Sequence, residues 1–163
     1  MRFKFASKAF SLMVAICLIS TLIFAQADRV LPAESAVSSS GQVTIKGKVV
    51  PYKVTAGTQP VFNPEGKPSA SLFYTYYERT DVTDKSKRPF VISFNGGPGS
   101  ASVWMHVAYT GPKQLNIDSE GFPVQPYGVR DNPHSILDVA DIVYIDPVNT
   151  GFSRILALRL LGK

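Results

Sequence analysis

The sequence predicts an α/β fold whose sheet begins with antiparallel strands and continues into parallel ones. Three observations predict it. Residues 42–54 alternate apolar and polar side chains around Gly47, the pattern of a β-hairpin. Residues 69–79 add a run of aromatic and β-branched side chains that suits a pleated sheet. Two short uncharged runs follow, Phe90-Val91-Ile92-Ser93-Phe94 and Ile142-Val143-Tyr144-Ile145. Each fits a strand buried on both faces, and the long connection between them fits a crossover.

The elements can be taken in chain order. Residues 1–27 open with Arg2, Lys4 and Lys8, continue through an uncharged apolar stretch, and end on Ala25-Gln26-Ala27. A basic start, an apolar middle and a small-x-small end are the three parts of a secretory signal peptide. The apolar middle is shorter than the ~20 residues that a spanning helix needs. No membrane anchor is therefore expected after cleavage, and the product is expected in the periplasm or outside the cell. Residues 28–41 are rich in Ser and Ala without periodicity and read as a flexible lead-in. Residues 42–154 hold the strands, with a helical turn or two expected over residues 101–108. Residues 155–163, Ile-Leu-Ala-Leu-Arg-Leu-Leu-Gly-Lys, read as a divergent or truncated tail.

Composition narrows the classes of function. A chain of 163 residues accommodates at most one modest domain. Its single cysteine, Cys17, lies in the signal segment, which excludes a disulfide framework and a cysteine-rich zinc site. Cleavage after Ala27 removes three of 17 basic residues and none of 12 acids, so the formal charge falls from +5 to 14 minus 12, or +2. The one basic cluster, Lys85-Ser86-Lys87-Arg88, reads as a solvated turn, and no nucleic-acid partner is expected. No H-E-x-x-H or other metal spacing occurs, and neither a metal nor a cofactor is expected.

The most informative stretch is Asn95-Gly96-Gly97-Pro98-Gly99-Ser100-Ala101-Ser102, between an expected strand and an expected helix. Three readings are open. It can be a tight structural turn. It can be a dinucleotide loop, with Gly97 and Gly99 in phase and Asp118 downstream, although Ser102 stands at the third glycine position. It can be an anion-binding nest, in which successive backbone N–H groups converge on a negative oxygen.

The loop resembles the Asn-Gly-Gly-Pro-Gly loop of the serine carboxypeptidases, exopeptidases of the α/β-hydrolase fold. A second block, Asp141-Ile142-Val143-Tyr144-Ile145-Asp146-Pro147-Val148 with Thr150-Gly151-Phe152-Ser153, is similar to the strand and Gly-Phe-Ser turn of that family. Gly111-Pro112 and Asp131-Asn132-Pro133 stand in the expected places between. The resemblance covers residues 43–154 and is closest to secreted bacterial-type members. It implies an incomplete α/β-hydrolase fold, comprising the N-terminal antiparallel strands and the first parallel strands. It also implies that Gly97 donates its backbone N–H to the oxyanion hole. Asn95, with Gly96 beside it, would hold the terminal carboxylate of a peptide substrate. Two departures are Ser93, where many members carry Trp, and Asn149, where many bacterial members carry Gly.

The catalytic triad of this fold needs a nucleophile on a G-x-S-x-G elbow. No serine here has Gly two positions before and two after; Ser153 has Gly151 before it but Ile155 after it. His106 reads as a surface or packing residue and His134 as a turn residue, and Asp138, Asp141 and Asp146 read as strand-end caps. The expectation is the N-terminal piece of a secreted serine-type carboxypeptidase, inactive alone. A non-catalytic peptide-binding module and an inactive truncated product are the alternatives.

Overall fold

The computed structural model describes residues 33–96 and 98–156. The expected signal peptide and residues 157–163 of the expected tail lie outside the described residues. The described residues form eight strands: β1 Ser35–Ile45, β2 Lys48–Phe62, β3 Pro68–Arg79, β4 Phe90–Ser93, β5 Lys113–Leu115, β6 Val129–Asp131, β7 Asp141–Ile145 and β8 Arg154–Ile155. The main sheet has the order β1-β2-β3-β7-β4, with β8 also pairing β3. Pairing is antiparallel from β1 to β7 and parallel between β7 and β4. A small antiparallel pair, β5 and β6, lies within the crossover between β4 and β7.

The β1–β2 hairpin turns where the alternation places it. Lys46 and Gly47 form its two-residue loop, with φ of 49° and 79°. Positive φ at both positions is the turn whose twist matches the flanking strands, and glycine meets that demand without strain. The strand starts earlier than the sequence reading has it. Ser35 to Gly41 belong to β1, not to a flexible lead-in. That half of the strand is exposed on both faces, so it carries no apolar alternation. Its side chains pair across the strands instead, Ser35 with Thr58 at 2.9 Å and Ser38 with Thr55 at 2.8 Å.

One face of the sheet carries the core. Val43, Ile45, Val50, Tyr52, Tyr77, Leu137, Ile142 and Tyr144 form a buried cluster, and Val91, Met105 and Ile136 pack against it. Tyr77 is central: its ring meets Tyr52 edge-on at 5.4 Å and Tyr144 at 6.2 Å. The other face is open among the described residues. Leu72, Tyr74, Tyr76, Phe90, Val143 and Ile145 line a concavity of about 390 Å³ there. The expectation that β4 is buried on both faces is therefore corrected. Phe90 and Ile92 are 57% exposed and Phe94 66%. Among the described residues β4 is a sheet edge with one neighbour, and its odd and even residues divide between a covered and an uncovered side.

The start of β4 is held to β7 by a buried ion pair. Arg88 Nε donates to Asp141 Oδ1 at 2.6 Å, and the two side chains are 7% and 9% exposed. Arg88 Nη2 also donates to the carbonyls of Leu137 and Ala140, while Asp141 accepts the Arg79 N–H. No fully buried side-chain nitrogen or oxygen among the described residues lacks a partner, the condition under which buried charge is tolerated.

Candidate active site

Parallel pairing of β4 with β7, Ser93 opposite Tyr144, brings the carboxyl ends of both strands to one edge. In open α/β sheets this edge is where ligands bind. The glycine loop leaves β4 there, and Asp146-Pro147 leaves β7 beside it.

Asn95 is half-buried, and two serines set its orientation. Its backbone N–H donates to Ser102 Oγ at 3.3 Å, and Nδ2 donates to Ser100 Oγ at 2.6 Å. A side-chain amide has two hydrogens to give, so this bond leaves one for a ligand. Gly96 is exposed, and no atom lies within 4 Å of where a Cβ would stand. Among the described residues no backbone hydrogen bond engages its N–H. Gly97, the expected oxyanion donor, lies outside the described residues.

Beyond the loop, residues 103–110 are helical, two residues on from the expected start, and Met105–Thr110 is wound as a π-helix. The wide turn closes with Gly111 N–H donating to His106 O at 3.0 Å. Local π geometry of this kind is frequent at functional sites. It delivers His106 to the sheet. His106 Nε2 lies 2.7 Å from the Tyr77 hydroxyl, and its ring stacks on Tyr144 at 4.6 Å. Of the two sequence readings of His106, surface or packing, this placement is the packing one. Burial pushes the imidazole below its ordinary value, with Asp146 opposing in part. Burial likewise pushes the Tyr144 phenol up to about 12, and the Tyr77 phenol still higher, with Tyr52 and Tyr144 adding to the effect.

The histidine gives a pH prediction. A folded-state value below the ordinary ~6.5 means that the folded chain favours neutral imidazole, while the unfolded chain takes up a proton. Its contribution is complete above the ordinary ~6.5 of the unfolded chain and is lost as pH falls from there through the lower folded-state value. Glu78, held down chiefly by Lys85, and Asp131, held down chiefly by Lys113, lose their contributions only in the lower carboxylate range. Urea midpoints are expected to fall between about pH 7 and pH 5, and His106→Gln is expected to flatten that segment. Equal slopes in the two proteins would contradict this.

Asp146 is the residue that sequence reasoning undervalued. It is 7% exposed, and each carboxylate oxygen accepts a backbone N–H: Oδ1 from Ser102 at 2.9 Å, Oδ2 from Phe152 at 3.0 Å. The Ser102 hydroxyl donates to the Ile145 carbonyl. Fully buried Ser153 donates to the Asp146 carbonyl at 2.7 Å and accepts the Phe73 N–H at 2.8 Å. Thr75, Ser102, His106, Asp146 and Phe152 share a cavity of about 100 Å³. An acid directly after a buried parallel strand is the signal that could have marked this role. Asp118, the acid that the dinucleotide reading requires, accepts the Glu120 and Phe122 N–H groups of its own turn instead.

A mixed sheet with a glycine loop at the carboxyl end of a parallel strand is the layout of an α/β-hydrolase-type protein. The chain belongs to the serine carboxypeptidase family, whose model matches residues 52–155. It is similar to carboxypeptidase Y of Schizosaccharomyces pombe, at 35% identity over 51% of this chain and 8% of that protein. Serine carboxypeptidase-like 46 of Arabidopsis thaliana is 31% identical over 91% of this chain and 27% of that protein. Among solved structures, a prohormone-processing carboxypeptidase from Saccharomyces cerevisiae superposes with a TM-score of 0.50 at 26% identity, covering 63% of this chain and 20% of that one. The chain thus matches less than a third of the length of each of these proteins.

Proposed function

We propose that this chain is the N-terminal part of an exported serine-type carboxypeptidase, carrying its carboxylate-binding and oxyanion loop but not its triad. The parent reaction is release of a peptide's C-terminal residue through an acyl-enzyme, with a serine hydroxyl attacking the last peptide carbonyl. Asn95 and Gly96 bind the free C-terminal carboxylate. Gly97 donates its N–H to the tetrahedral oxyanion, an interaction worth ~2.7–4 kcal/mol of barrier for each such donor. The observation that carries the reading is the exposed, unencumbered Gly96 beside an oriented Asn95 at the carboxyl edge of the parallel strands.

Export follows from the signal-peptide pattern of residues 1–27 and places the chain in the periplasm or outside the cell. No serine of the chain sits on a nucleophile elbow, so the fold is incomplete and the chain alone is catalytically silent. Purified chain is expected to release no C-terminal residue from an N-blocked dipeptide and to take no label from a serine-directed fluorophosphonate. Turnover that survives a change at Gly97 would defeat both parts of the reading.

A further inference from the structure

We infer that Asp146 is a positioning residue that couples the glycine loop to the Thr150–Ser153 turn through its two carboxylate oxygens. This rests on the reading of the glycine loop as the ligand-binding element. The carboxylate is buried and answers no cation: among the described residues no ion pair involves it. Its partners are instead the two amides that begin the helical segment and end the turn, Ser102 and Phe152. A buried carboxylate requires such donors, and hydrogen bonds to a charged acceptor are the stronger kind.

The geometry makes the link rigid in both directions. Oδ1 reaches the glycine loop, because Ser102 also accepts the Asn95 N–H on its hydroxyl. Oδ2 reaches the turn, where a Cβ on Gly151 would collide with the carboxylate and stand 3.0 Å from the Ala101 Cβ. The two segments are therefore in contact, with the carboxylate wedged between them. Asparagine cannot replace it. Its carbamoyl group offers one oxygen, and its NH₂ would face one of the two N–H donors. The orientation of Asn95 toward a ligand thus depends on a turn some 50 residues later in the chain.

The test is amide hydrogen exchange on the full chain, wild type and Asp146→Asn, joined to binding of an N-blocked dipeptide with a free carboxylate. In the wild type the Ser102 and Phe152 amides are expected to exchange at matched rates, as one opening unit. In D146N both segments, 95–102 and 147–153, are expected to lose protection about tenfold while β1, β2 and β3 keep theirs, and peptide affinity is expected to fall about tenfold. Wild-type rates that differ by more than about tenfold would overturn the coupling even if the variant does not fold. Protection lost equally across the whole sheet in D146N would also overturn it, as that is the mark of a merely structural residue. Absence of peptide binding by the wild type would count against the loop reading, while the exchange result still decides the coupling.

Discussion

Replacing Arg88 by methionine is expected to destabilise the chain by about 3–5 kcal/mol, the cost of leaving a buried charge without its partner. Methionine keeps the apolar stem and removes the guanidinium. Asp141 would then keep only the Arg79 N–H, and the Leu137 and Ala140 carbonyls would lose their shared donor. With side chains 7% and 9% exposed, water cannot easily replace what is lost. The consequence is local as well as global, because the pair holds the first residue of β4 against β7 and so sets where the glycine loop begins. The urea midpoint and Tm measure the effect; a Tm drop of about 10–20 °C is expected for a chain of this size. Arg88→Met combined with Asp141→Leu is expected to recover part of the loss, since it removes the unpaired buried carboxylate while the Leu137 and Ala140 carbonyls and the Arg79 N–H stay without these partners. A single variant within about 3 °C of wild type would show that solvent reaches the site.

Replacing Asn95 by alanine is expected to weaken binding of a peptide with a free C-terminal carboxylate by about 10- to 100-fold. That is the ~1.5–3 kcal/mol of a hydrogen bond to a charged group. The same change is expected to leave the already weak binding of the amidated peptide untouched. The contrast separates a ligand contact from a loop defect, because a collapsed loop would weaken both ligands alike. Asn95 is well suited to the test: Ser100 holds its amide at 2.6 Å, while the opposing Gly96 surface is open. Titration calorimetry with the two peptides decides it, and equal losses for both would refute a carboxylate-binding role.

What was legible in the sequence was whatever leaves a local imprint. The turn at Gly47 is legible because positive φ at two successive positions leaves few residue choices, and β7 because four uncharged apolar residues in a row require burial. The bend of the glycine loop was legible because a positive φ calls for glycine, and Gly99 takes a φ of 89°. The first half of β1 was not, since an edge strand exposed on both faces needs no apolar alternation and its Ser-Thr pairs look like a linker. The exposure of β4 was not legible either. Hydrophobicity states that Phe90 and Ile92 favour burial, but which element covers them is a tertiary fact. Asp146 was read as a strand cap, and it caps two segments at once; the second partner, Phe152, becomes a neighbour only when the turn folds back.

The most direct test of the central claim is an amide spectrum of Gly96 and Gly97 during titration with a dipeptide phosphonate, whose tetrahedral anionic phosphorus imitates the oxyanion. Both amide protons are expected to move downfield together and to saturate, more strongly than with the planar parent peptide. Unmoved glycine amides, with shifts scattered over the surface or absent, would reduce the loop to a structural bend.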